Sequence, residues 1–279
     1  MLWAPIKGMT RYQSNIAAAG SSTLGTSCTT GAAEATKGTI VEAISSTNFD
    51  SYLMHITIGD YTAEGVASRG CLDIMIGGSG SEQVLIENLL MGYCGGSTDS
   101  VQSKGLKQWM FPVFVPSGSR LSIRAAGQAT STTVRCAITL MGGQGSPQFQ
   151  VGTKVVTYGV ATVANGTTIT EGGSGAEGSW TQITSSTTAE HFCLVPSYQF
   201  NTTTAGEKYS YLDLGIGASS SEVQIGPTYI YCSGFYSPME GPNNPLPTFC
   251  NIPSGTRLAM RVSNSGTARA AQGAIHGVT

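Results

Sequence analysis

Apolar and polar side chains alternate with a period of two along much of this chain. Leu72, Ile74 and Ile76 are interleaved with Asp73 and Met75, and Leu121 and Ile123 with Arg120, Ser122 and Arg124. Farther on, Leu258, Met260 and Val262 are interleaved with Arg257, Ala259 and Arg261. Successive side chains of an extended strand point to opposite faces, so these runs place an apolar set on one sheet face and a polar set on the other. Between them lie segments rich in Gly, Ser, Thr and Asn, such as 77–81 and 217–221, which read as turns. No stretch sustains the 3.6-residue amphipathic period of a helix, and β-branched residues are plentiful. The pattern predicts an all-β chain.

The pattern also occurs twice. Leu72-Asp73-Ile74-Met75-Ile76-Gly77 returns as Leu212-Asp213-Leu214-Gly215-Ile216-Gly217, and Ser81-Glu82 as Ser221-Glu222, each 140 residues on. Tyr52 meets Phe192 and Ile40 meets Trp180 at the same offset. Pro116-Ser117-Gly118-Ser119-Arg120-Leu121 returns as Pro253-Ser254-Gly255-Thr256-Arg257-Leu258 at an offset of 137, which also sets Arg124 on Arg261. One intervening loop has lost a net three residues, and the order of blocks is kept. Self-similarity of this kind marks a duplicated domain. The Gly- and Pro-rich stretch Gly142-Gly143-Gln144-Gly145-Ser146-Pro147 reads as the join. The expected organisation is two tandem, internally duplicated β-sandwich domains, 1–142 with an N-terminal arm and 143–279. Many short strands without helices suit a jelly roll; an immunoglobulin-like sandwich is the alternative, although its Cys–Trp–Cys arrangement is missing. The segment Met1–Gly20, with Trp3, Ile6, Met9 and Tyr12, fits either an arm on a neighbouring subunit or a first strand.

Composition narrows the function. Charged residues make up 11% of the chain, against roughly 25% in ordinary soluble domains. With 14 Lys plus Arg against 16 Asp plus Glu there is no basic surplus for phosphate, so no nucleic-acid partner is expected. Apolar runs are too short to span a bilayer, and Met1-Leu2-Trp3-Ala4-Pro5 lacks the charge and apolar pattern of a secretory signal; no membrane partner is expected. The seven cysteines show no Cys-x-x-Cys pair and no His at ligand spacing, which predicts reduced, buried thiols and neither a metal nor another cofactor.

Asp73, Glu82, Arg120 and Arg124 all recur, as Asp213, Glu222, Arg257 and Arg261. A catalytic set belongs in one half only, whereas residues kept in both report on the fold. The favoured reading is therefore structural, with Asp73, Arg120 and Arg124, and likewise Asp213, Arg257 and Arg261, in carboxylate–guanidinium pairs. The rival reading is a glycosidase built on carboxylates such as Asp73 and Glu82. His55, His191 and His276 have no counterparts across the repeat, and no hydrolase or zincin signature occurs, so no enzymatic activity is expected. Gly173-Ser174-Gly175-Ala176-Glu177-Gly178 satisfies Gly-x-Gly-x-x-Gly but lacks the βαβ context of a dinucleotide site, and reads as a loop. Tyr229, Tyr231, Phe235 and Tyr236, in a Pro-punctuated stretch, are candidates for a protein interface or for stacking on a glycan.

The blocks at 72–82 and 111–125, with their second versions at 212–222 and 253–261, resemble β-sandwich virion proteins of tailed bacteriophages. The resemblance implies a non-enzymatic virion structural protein, made in the host cytoplasm. The leading expectation is a capsid decoration (cement) subunit or a head or tail appendage. Such a subunit would self-associate as a homo-oligomer, with a trimer favoured, and hold other virion proteins such as the major capsid protein. Its halves would form a side-by-side or pseudo-twofold unit. The alternatives are a carbohydrate-binding receptor-recognition protein of the tail and a double jelly-roll capsid protein, whose halves would normally be larger and less plainly duplicated.

Overall fold

The computed structural model describes residues 10–16, 25–59, 69–91, 107–143, 147, 149–163, 165–200, 208–233, 246–266 and 270–279. Among them are nineteen strands in four antiparallel sheets, and no helix. In the first half the strands are β1 (Arg11–Ser14), β2 (Thr26–Thr29), β3 (Val41–Ile44), β4 (Ser51–Gly59), β5 (Gly70–Ile76), β6 (Gln83–Leu90), β7 (Lys107–Phe111), β8 (Leu121–Gly127) and β9 (Thr133–Gly142). One sheet runs β1-β9-β4-β7, with β2 pairing farther along β9, and the other runs β3-β8-β5-β6. With β1 and β2 taken as one interrupted strand, two four-stranded sheets interleave along the chain in the jelly-roll order.

The second half repeats it. Its strands are β10 (Val155–Tyr158), β11 (Val160–Thr162), β12 (Asn165–Thr170), β13 (Thr181–Thr184), β14 (His191–Phe200), β15 (Lys208–Ile216), β16 (Val223–Ser233), β17 (Thr248–Ile252), β18 (Leu258–Asn264) and β19 (Ala270–Val278). They form sheets β11-β12-β19-β14-β17, with β10 on β19, and β13-β18-β15-β16. The duplication extends to individual pairs. Met54 stands opposite Phe111 as Leu194 stands opposite Thr248, and Asp73 opposite Arg124 as Asp213 opposite Arg261. In both halves a Thr, 47 or 187, fixes the Pro-Ser-Gly turn by accepting from the N–H of Gly118 or Gly255, glycines at φ +81° and +88°.

Each half has its own core, as the alternation demands. Leu72, Ile74, Leu121 and Ile123 are buried in the first; Leu212, Leu214, Leu258, Met260 and Val262 in the second. Volume is traded between matched sites. Ile40 and Met75 become Trp180 and Gly215, and a methyl group on Gly215 would lie 2.6 Å from the Trp180 ring.

The halves are packed firmly together. Every residue of β14 from Cys193 to Gln199 is buried. Leu194 and Tyr198 enter the second core, whereas Cys193 and Val195, with Val155 and Val278, join the first. Trp109 Nε1 donates to the Pro196 carbonyl at 3.2 Å and Lys107 Nζ to that of Tyr198 at 2.7 Å. Thr157 Oγ1 donates to the Glu87 carbonyl at 2.8 Å, and the Phe111 ring meets His276 edge-on. The first half thus contributes β6 and β7, and the second contributes β10, β14 and β19. Different faces of one fold meet, so the contact is head-to-tail and the pseudo-twofold expectation is corrected. Trp109 and Lys107 on β7 bond the carbonyls of β14, not those of β17, the counterpart of β7, so no two-fold relates the halves.

Candidate functional site

The acidic and basic residues present in both halves come together on the strands. Asp73, fully buried, receives Arg124 Nε at 2.8 Å and Lys37 Nζ at 2.7 Å. Asp213 receives Arg261 NH2 at 2.9 Å, and Gln224 and Thr228 also donate to it. Arg261 in turn lies over the Trp180 ring, 4.6 Å from its centroid. At the end of each second sheet, Arg120 bridges Glu82 and Glu42, both at 2.7 Å, and Arg257 holds Glu222 at 2.8 Å and Gln182 at 2.9 Å. Its own backbone N–H and the Arg120 guanidinium hold the Glu82 carboxyl below the usual carboxylate range. Burial pushes Glu222 up, but its backbone N–H and Arg257 outweigh that and lower it. These groups bind strands to each other across the sheet.

Of the histidines, His276 lies where the halves meet, edge-on to Phe111. His276 is enclosed between Thr157 at Nδ1 (3.0 Å) and Ser197 at Nε2 (2.9 Å), and burial lowers its pKa to about 3. His191 Nε2 meets the Tyr158 hydroxyl at 2.8 Å. Cys28, Cys71, Cys136 and Cys193 are buried, and burial raises the Cys28 thiol to about 12, which makes it inert. Among the described residues, no three His, Cys, Asp or Glu side chains gather as metal ligands, and no helix is long and apolar enough to cross a membrane.

The aromatic candidates divide. Tyr229 is only 5% exposed, and its hydroxyl bonds Thr248 inside the second core, so it is corrected from a surface platform to a core residue. The phase of β16 explains this, since Tyr229 points inward and Ile230 outward. The side chain of Tyr231, and Phe235 and Tyr236 entirely, lie outside the described residues, as do Trp3, Ile6 and Met9.

Another surface emerges from comparing matched positions. Leu90, Cys71 and Trp109 are buried where β6, β5 and β7 meet the second half; their counterparts Ile230, Tyr211 and Leu246 are 58%, 37% and 42% exposed. At the complementary face, Val155 on β10 is buried against the first half, while its counterpart Tyr12 on β1 is 66% exposed. The chain therefore carries a used copy of each face and a second copy that is open at Ile230, Tyr211 and Leu246 and, on the other side, at Tyr12 on β1, beside a Leu53 covered by Phe149. The signal was present in the sequence as Leu90 and Ile230, apolar at the same strand position, but without coordinates both read as core. No protein-family model and no curated protein matches this chain.

Proposed function

We propose that this chain is a virion structural protein of the double jelly-roll type, which builds a shell by repeating between copies the contact that joins its own halves. The observation that carries this reading is the pair of open faces: Ile230, Tyr211 and Leu246 at one end, the exposed strand β1 with Tyr12 and Ser14 at the other. A head-to-tail contact leaves one complementary face open on each side, so it propagates until the rotation closes a ring. Three chains would give six near-equivalent modules, the trimer favoured for such a subunit. Burying an Ile, Leu or Tyr side chain contributes about 1.5–3 kcal/mol, and few charges stand to be desolvated. Hydroxyl-rich contacts of this kind are little affected by salt. The phage setting rests on the resemblance of the duplicated blocks, and the absence of enzymatic activity on the use of the paired acids within the sheets.

Light scattering and electron microscopy of the purified full chain test the reading. The expected result is a closed oligomer or shell from this chain alone, reduced to single chains by Ile230→Glu with an unchanged circular dichroism spectrum. A wild-type chain that stays single at high concentration overturns it. So does association that appears only on adding preformed capsids, which is the behaviour of a cement subunit.

A further inference from the structure

Lys37, in the segment between β2 and β3, lies with its amino nitrogen against β5 and β6. Lys37 Nζ is 2.6 Å from Asn88 Oδ1, 2.7 Å from Asp73 Oδ1 and 3.2 Å from Cys71 Sγ. The Cys71 thiol is 3.3 Å from Asn88 Oδ1 and placed to donate to it. Asp73 is fully buried, Asn88 is buried, and the Lys37 side chain is 16% exposed. Asn88 has φ +51°, and Asp73 Oδ1 accepts its backbone N–H at 2.8 Å. One carboxylate oxygen therefore touches both the amine and the residue carrying the amide.

The second half supplies the control. Asp213 and Arg261 retain the acid and its guanidinium, but Glu177, Tyr211 and Thr228 stand where Lys37, Cys71 and Asn88 stand in the first half. The shared pair meets the needs of the sheet in both halves; the amine and the amide are additions to one. Arg124 also holds Asp73, through the other carboxylate oxygen, Oδ2.

We propose that Lys37 and Asn88 condense inside the folded chain to an isopeptide bond, with Asp73 carrying the proton. Asp73 takes a proton from Lys37 Nζ, and the nitrogen lone pair forms a bond to Asn88 Cγ. The thiol of Cys71 donates to the developing oxyanion on Oδ1. Collapse of the tetrahedral intermediate breaks the bond from Cγ to the amide nitrogen, which takes that proton back from Asp73, takes a second from the former Lys37 nitrogen, and leaves as ammonium. An alkylammonium and a primary amide become a secondary amide and an ammonium ion, with no oxidant or other co-reactant, and the chain is lighter by one ammonia. Lys37 Nζ is held 2.6 Å from the oxygen of the amide it attacks, in a site that largely excludes water. The bond ties the segment before β3 to β6, the strand that carries the second half, and stands independently of how chains assemble.

Intact-mass spectrometry of the purified, denatured full chain is the test. Wild type is expected to be lighter than its sequence by one ammonia and to yield a branched peptide joining Lys37 and Asn88 on digestion. Lys37→Arg is expected at full sequence mass, and Asn88→Asp is expected to lose one water in place of ammonia. Because Asp73→Asn removes a buried charge partner and risks misfolding, the two milder variants carry the comparison. A wild type at full sequence mass, giving separate linear peptides for Lys37 and Asn88, overturns the proposal.

Discussion

Leu90 and Ile230 occupy the same strand position in the two halves, yet Leu90 is fully buried beneath the second half while Ile230 is 58% exposed. One fold thus carries the same apolar site in an occupied and a vacant form. The occupied form contributes to stability within the chain, and the vacant one is available to another molecule.

That difference has a direct energetic consequence. In dilute urea titrations at a concentration where chains are single, Leu90→Ala is expected to cost about 2–5 kcal/mol through lost burial and cavity formation. Ile230→Ala is expected to stay within about 0.5 kcal/mol of wild type, as ordinary surface substitutions do. Equal costs would mean that Ile230 is covered within its own chain.

The two buried aspartates have unequal support. Removing Arg261 leaves Asp213 with neutral donors only, Gln224 and Thr228, so Arg261→Ala is expected to cost on the order of 3 kcal/mol. In an Asn88→Ala background, where Lys37 stays a free amine 2.7 Å from Asp73, Arg124→Ala is expected to cost about half as much. Chemical denaturation of both variants under identical conditions measures the ratio.

Acid is expected to weaken the contact between halves. His276 has a folded pKa of about 3, below the ordinary histidine value. Below about pH 6.5 the unfolded chain binds a proton that the folded chain refuses, so stability falls as pH drops, by about 1.4 kcal/mol per unit. The effect runs from that unfolded value down to about 3, and it is absent above neutral pH. His55 and His191, both lowered chiefly by burial, act with the same sign. Glu82 and Glu222, also lowered, add a further loss only as pH falls through the carboxylate range. His276→Gln is expected to flatten the slope by one proton between pH 6 and about 4, read from urea midpoints.

Trp180 and Gly215 stand where the first half has Ile40 and Met75, and the missing side chain at Gly215 leaves room for the indole. Gly215→Met drives a side chain into the Trp180 ring and is expected to cost about 1–3 kcal/mol. Adding Trp180→Ile to Gly215→Met recreates the first-half pair and is expected to recover most of that loss. A double variant no more stable than Gly215→Met would show that the two sites are not coupled.

Much of the fold was legible because strand alternation and duplication leave direct marks. Asp73 and Arg124 sit at matched places in both copies, and a sheet register that pairs them explains why both were retained. The head-to-tail contact was not legible, because Trp109 and Leu90 look like core residues whether they face their own half or the other. Tyr229 misled for the opposite reason. A tyrosine beside a Pro-rich stretch resembles a surface platform, but its place in β16 turns it inward and Thr248 satisfies its hydroxyl. The cluster of Lys37, Asn88 and Asp73 depends on a loop reaching two strands, which no linear spacing reveals.

Trapping the interchain contact tests the central claim most directly. Within the chain, Thr157 Oγ1 touches the Glu87 carbonyl, and the matched positions on the unused faces are Ser14 and Pro227, both exposed. Under mild oxidation, an equal mixture of Ser14→Cys and Pro227→Cys chains is expected to give a disulfide-linked heterodimer that neither variant forms alone. A mixture that yields no cross-link, or homodimers in the same proportion as either variant by itself, would contradict the account.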